Sequence, residues 1–144
     1  MSETEQFFAS ETTTINADPS DIWAIWVDIN GWPRWDDGLE STKFSETFRE
    51  GNSFELTPRG GDPLTVTLRS VTQGEEFSDE AVLPFGKIRN AHRLRPIGGK
   101  VEVTHEIQAM INKPEAGFFA KDIWPHMRDG LPAALSNIRR IIED

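Results

Sequence analysis

The sequence predicts an α+β protein in which one antiparallel sheet wraps a single long helix. Three observations carry that expectation. From Leu39 to about Ile111 the chain is a succession of strand-like segments broken by tight-turn residues. After Asn112-Lys113-Pro114 the apolar spacing changes to three, four or seven, which marks one face of a helix. Between the first strand and the meander stands a strong helix start at Asn16-Ala17-Asp18-Pro19-Ser20-Asp21. Parallel crossovers need a dozen or more residues, so segments joined this tightly pair antiparallel.

The elements follow in order. Phe7 to Ile15, rich in Thr and Phe, reads as the first strand, and residues 1–6 are expected to fray. Asp18 suits the N-cap, Pro19 the first helical position, and Asp21 puts negative charge in the first turn. Ile22, Trp23, Ile25, Trp26 and Ile29 continue that helix to Asn30-Gly31, and Trp32-Pro33-Arg34-Trp35 forms a second short helical turn. Six strands are expected at Leu39–Phe48, Asn52–Pro58, Leu64–Gln73, Glu76–Pro84, Lys87–Ile97 and Lys100–Ile111. Trp124, Met127, Leu131, Leu135, Ile138, Ile141 and Ile142 line the last helix, where Pro125 and Pro132 each predict a start or a kink. No repeat or linker divides the chain, so residues 1–144 read as a single domain.

Composition narrows the function classes. The 144 residues hold 37% hydrophobic residues, enough for a core without staples, and the absence of Cys removes disulfides, thiolate metal sites and thiol nucleophiles. Fifteen basic residues against 24 acidic give a net charge of −9, with no basic block. Phosphate backbones and anionic membranes demand a contiguous positive footprint, so neither is an expected partner. No apolar run approaches the ~20 residues of a membrane span. The acidic start Met1-Ser2-Glu3-Thr4-Glu5 is unlike a secretory signal. The expectation is a cytoplasmic protein without cofactor.

Turn arithmetic places polar side chains on an otherwise apolar face. With Gly98-Gly99 as a two-residue turn, Leu94 falls opposite Val103, His92 opposite His105 and Asn90 opposite Ile107, while Arg95 meets Glu102 on the other face. Turns at Phe85-Gly86 and Gly74-Glu75 then set Asp79 opposite His92 and Ser70 opposite Asp79. The expected row is Ser70–Asp79–His92–His105, running among Leu64, Val66, Leu68, Leu83, Leu94 and Val103; a bulge would shift it. A carboxylate and two imidazoles on a buried face must satisfy one another or border a cavity. Either a structural network closes the sheet, or Asp79 orients one histidine and the pair handles protons on a ligand.

Five Trp, nine Phe and no Tyr form the aromatic set, with Trp23, Trp26, Trp32 and Trp35 within thirteen positions. Trp23 and Trp26 suit the core, and Trp35 suits a pocket wall. Phe118-Phe119 reads equally as core or lid. Asp79, His92 and His105 only sketch a metal site and lack a local ligand motif, so no metal is expected. Gly60-Gly61 and Gly98-Gly99 are turns without phosphate-loop spacing, and no nucleophile elbow is present.

The stretch Thr13-Thr14-Ile15-Asn16-Ala17-Asp18-Pro19-Ser20-Asp21-Ile22-Trp23, continued by Trp32-Pro33-Arg34-Trp35-Asp36, resembles the opening of the START/polyketide-cyclase-like superfamily (SRPBCC). Val101-Glu102-Val103-Thr104-His105 and Gly130-Leu131-Pro132-Ala133-Ala134-Leu135 are similar to its last hairpin and last helix. The resemblance implies a helix-grip fold, with a curved seven-stranded antiparallel sheet around a long C-terminal helix and two short helices after strand 1. It also implies an apolar cavity for a lipid- or polyketide-like molecule. The expected lining is Trp35, Phe54, Leu68, Leu83, His92, His105, Trp124 and Met127. The alternatives are a cyclase or dehydratase in which His92 or His105 is the base and Asp79 its partner, and a co-chaperone-like interaction module. The superfamily has no universal catalytic motif to place on this chain.

Overall fold

A computed structural model of the chain describes residues 3–144. Seven antiparallel strands form one sheet in the order β1-β7-β6-β5-β4-β3-β2. They are β1 (Thr4–Ile15), β2 (Leu39–Lys43), β3 (Ser53–Pro58), β4 (Leu64–Thr72), β5 (Glu76–Leu83), β6 (Gly86–Ile97) and β7 (Lys100–Asn112). Helix α1 (Pro19–Val27) and a 3-10 helix (Ile29–Arg34) follow β1; α2 (Lys113–Phe118), a π turn (Phe119–Ile123) and α3 (Trp124–Glu143) follow β7.

β1 begins at Thr4, which pairs with Asn112, so residues 4–6 are tied into the sheet and not frayed. The same expectation for Met1 and Ser2 lies outside the described residues. Asp21 accepts the Asp18 backbone N–H at 3.1 Å, closing the start of α1 with Pro19 in its first turn. Asn30-Gly31, expected to end that helix, instead lies within the 3-10 helix. β2 stops at Lys43, five residues short of Phe48. The Asn30 side chain explains it: its amide donates to the Phe44 carbonyl (2.9 Å) and its oxygen accepts the Phe44 N–H (2.8 Å), taking Phe44 out of the ladder.

Around the last helix, Pro125 sits in the first turn of α3 and Pro132 inside it. Pro125 has no amide for the Lys121 carbonyl, and the chain widens to a π turn immediately before it. The sequence shows the helix start but not α2, which precedes it directly.

The core falls into two apolar clusters. The larger joins α1, the 3-10 helix and the β2–β6 half of the sheet to Ala134, Leu135 and Ile138 of α3. The smaller joins Ile107, Ala109 and Ile111 of β7 to Ala116, Phe119, Trp124 and Leu131, with Met127 packed against it. Asn137, buried in α3, donates to the Trp35 carbonyl (3.0 Å) and to Asp37 Oδ2 (3.2 Å), fastening the helix to the chain beyond the 3-10 helix.

Gly86 offers a test of this packing. It has φ +154°, and a Cβ there would stand 2.3 Å from the Met110 carbonyl oxygen and 2.9 Å from Ile111 Cα, both backbone atoms of β7. Gly86→Ala is expected to destabilise by about 2–4 kcal/mol in urea unfolding. Gly74→Ala, at φ +80° but with open space around it, should cost about 1 kcal/mol.

Candidate functional site: a polar network on the concave face

The β6–β7 register is the expected one, with His92 opposite His105. Gly98 and Gly99 both have positive φ (+52° and +79°), as a two-residue turn of this hand requires. The neighbouring registers differ. The β5–β6 turn is Pro84-Phe85, so Leu83 pairs with Gly86, Asp79 with Asn90, and Phe77 with His92. Between β4 and β5 a bulge at Arg69 shifts the ladder, pairing Leu68 with Asp79 and Ser70 with Ser78. The Ser70 hydroxyl bonds that of Ser78 at 2.6 Å in an exposed position, so Ser70 is not part of the inner row.

The resulting network is Asp79–Asn90–His105, with His92 beside it. Asp79, His92 and His105 are 3%, 3% and 6% exposed, and Asn90 is partly open to solvent. Asn90 Oδ1 stands 2.9 Å from His105 Nε2. A carbonyl oxygen only accepts, so Nε2 donates and the free lone pair is on Nδ1. The Asn90 amide is hydrogen-bonded to the Asp79 carboxyl. His92 stacks on Phe77 (centroids 4.4 Å apart, planes 10° apart), lies 4.0 Å from the His105 ring, and is edged by Trp26 at 5.2 Å. Trp32 and Trp35 follow at 6.3 and 6.4 Å.

Burial sets the protonation of all three ionisable groups. It pushes the Asp79 carboxyl up to about 7, a rise that the Asn90 hydrogen bond moderates. Desolvation drives His105 down to about 3. His92 is held well below the ordinary range by desolvation and by the neighbouring His105. Both rings are therefore neutral at physiological pH, and only Asp79 titrates near it.

The expected lining residues are divided between the two clusters. Trp35, Phe54 and Leu68 belong to the larger, Trp124 and Met127 to the smaller, and His92 and His105 face the interior. Leu83 instead borders an open concavity of about 350 Å³ with Val82, Gly86, Lys87 and Met110. A second, of about 370 Å³, lies across β6 and β7 beside Arg93, Arg95, Glu102 and Thr104. Neither is the hollow expected between sheet and helix. Trp26, Trp32, Trp35 and Phe77 crowd the space around His92 instead, because the short helices fold their indoles onto the sheet. Trp32 Nε1 donates to the Trp26 carbonyl (2.9 Å), whereas the buried indole N–H groups of Trp26 and Trp35 have no acceptor. Among the described residues no three His, Asp or Glu side chains converge as metal ligands.

Asn90 is the network residue that sequence reasoning missed. Its signal was a polar side chain at an apolar register position, diagonal to His105.

A seven-stranded antiparallel sheet gripping a C-terminal helix defines an α+β helix-grip protein. Residues 7–143 match the family model described as polyketide cyclase / dehydrase and lipid transport, and the chain belongs to that family. Among solved structures it is similar to a hypothetical protein from Helicobacter pylori (TM-score 0.78, 11% identity, 94% of this chain and 87% of that one). It is also similar to truncated norcoclaurine synthase from Thalictrum flavum (0.74, 11%, 99% and 96%) and to Ara h 8.0201 (0.72, 10%, 96% and 99%). Identities this low show a shared fold. No curated protein matches the chain.

The protonation states predict a stability profile. Between 3.8 and about 7 the folded protein holds a proton on Asp79 that the unfolded chain has released, so Asp79 lowers stability as pH rises through that window. Asp36, also raised by burial, acts in the same direction. Between about 3 and 6.5 the unfolded chain protonates His105, and likewise His92, while the folded protein does not, so these two lower stability as pH falls. Urea unfolding is expected to show His105→Leu with a shallower acid limb than wild type. Asp79→Asn should lose the decline toward neutral pH. Parallel profiles for both variants would contradict these protonation states.

Proposed function

We propose that the protein binds a small hydrophobic or aromatic molecule, lipid- or polyketide-like, between the sheet and α3. The observation that carries this reading is the Asp79–Asn90–His105 network, a hydrogen-bonded polar group on an otherwise apolar concave face that meets solvent at Asn90. Binding sites combine apolar walls with a few convergent polar groups, the walls supplying affinity and the polar groups orientation. Here the walls are Leu68, Trp35 and Phe54 on one side, and Trp124 and Met127 on the other. The family's description, which includes lipid transport, supports the same reading.

A second reading, a cyclase or dehydratase acting on a polyketide-like substrate, is favoured by one feature. A carboxyl held near neutrality by burial and anchored by a neighbouring amide is suited to general acid–base work. In this reading Asp79 carries the proton. His105, too weak a base when held near 3, positions Asp79 through Asn90, and His92 lines the wall.

Native mass spectrometry of protein purified without ligand stripping is expected to show an adduct of small-molecule mass. Titration with the fluorescent probe N-phenylnaphthylamine should saturate with a Kd of order 1–100 μM. A bare protein mass together with a strictly linear titration would remove the ligand-binding reading. Incubation with a candidate substrate separates the two readings, because only turnover changes the mass or connectivity of the bound molecule.

A further inference from the structure

Strand alternation sorts the charges of this sheet by sign. On the outer face stand Lys87, Arg89, Arg93 and Arg95 of β6, with Arg89 paired to Glu80, Arg93 to Glu106 and Arg95 to Glu102. On the inner face no strand carries Lys or Arg. The ionisable residues in register there are Glu5 and Glu11 of edge strand β1, both exposed, together with buried Asp79, His92 and His105.

The elements packed over this face add no cation. Ile22 and Trp26 are the buried residues of α1, and the 3-10 segment leads into half-buried Asp36. The buried positions of α3 are Trp124, Leu131, Ala134, Leu135, Asn137 and Ile138, while His126, Arg128, Arg139 and Arg140 are exposed. Asp79 is thus a buried acid whose one polar partner is the neutral Asn90 amide.

We propose that the ligand is an amine, a hydrophobic or aromatic body whose protonated nitrogen pairs with the Asp79 carboxylate beside Asn90. This rests on the ligand-binding reading and adds its chemical class. A buried carboxylate gains most from a charge-assisted bond, and the ligand is the one source of positive charge the inner face leaves open. A carboxylate-bearing ligand would meet Asp79 directly and a chain of net charge −9 around it.

The test uses three probes on one ring system: naphthylmethylamine, naphthylmethanol and naphthoate. At about pH 8 the amine is expected to bind roughly tenfold or more tighter than the alcohol, and naphthoate weakest. The amine-to-alcohol ratio should fall toward one at about pH 6 as Asp79 takes up a proton while the amine keeps its own. In Asp79→Asn the ratio should be near one at both pH values. Should that variant fail to fold, the wild-type pH series decides alone. Equal binding of the three probes, naphthoate binding tightest, or an amine preference that survives in Asp79→Asn overturns the proposal and leaves ligand binding standing. If neither these probes nor N-phenylnaphthylamine binds saturably, the ligand-binding reading falls and takes the amine with it.

Discussion

The interior is governed by one constraint: an ionisable side chain on the concave face cannot keep its charge without a partner. The outer face meets this cheaply, with Glu80 between Arg69 and Arg89 and further Arg–Glu pairs across β6 and β7. Inside, burial forces both imidazoles neutral and draws Asp79 toward its protonated form. Joining an acceptor carboxylate to a donor N–H requires a side chain that donates at one end and accepts at the other. An amide does both, and Asn90 occupies that position between Asp79 and His105. A carboxylate there would add a second unpaired charge, and a leucine would leave two buried polar groups unmet.

Where local chemistry dictated geometry, the sequence was legible. Gly98-Gly99 fixes the β6–β7 register because both turn residues need positive φ, and the opposition of His92 and His105 follows. Gly86 misleads for a related reason: its positive φ belongs to the start of β6, where Met110 presses close, and not to the turn. The error is two residues, so Asp79 keeps its face but loses His92 as its partner. At Arg69 the bulge leaves no trace in hydrophobic pattern, because Val66 and Leu68 face inward in either register. The filled space around His92 was hidden more deeply. It depends on where two short helices set three indoles, and no spacing rule reports that.

The long helix is held unevenly. In its C-terminal half Asn137 bonds the Trp35 carbonyl and Asp37, Arg140 bonds Asn137, and Arg139 reaches Thr13 and the Thr14 carbonyl of β1 (2.7 Å to the carbonyl). Glu143 accepts the Asn16 backbone N–H at 2.8 Å. The N-terminal half enters through a π turn and Pro125 and is held through the apolar contacts of Trp124, Met127 and Leu131. Segments with few polar ties open first, so separation of α3 from the sheet is easiest at Met127 and hardest at Asn137.

This asymmetry bears on how a filled interior can still admit a guest. The two apolar clusters divide along α3 between Leu131 and Ala134, and the polar network lies on the sheet with Asn90 open to solvent. A molecule entering there from the loosely held end of the helix parts two clusters at an existing boundary and leaves each one's internal packing in place. It replaces contact across the seam with contact to its own apolar body, which keeps the exchange of buried area near balance. The polar end of the guest then decides the outcome, because it meets a network whose acid has a single neutral partner. Affinity for a guest would come from the walls, and the choice among guests from Asp79.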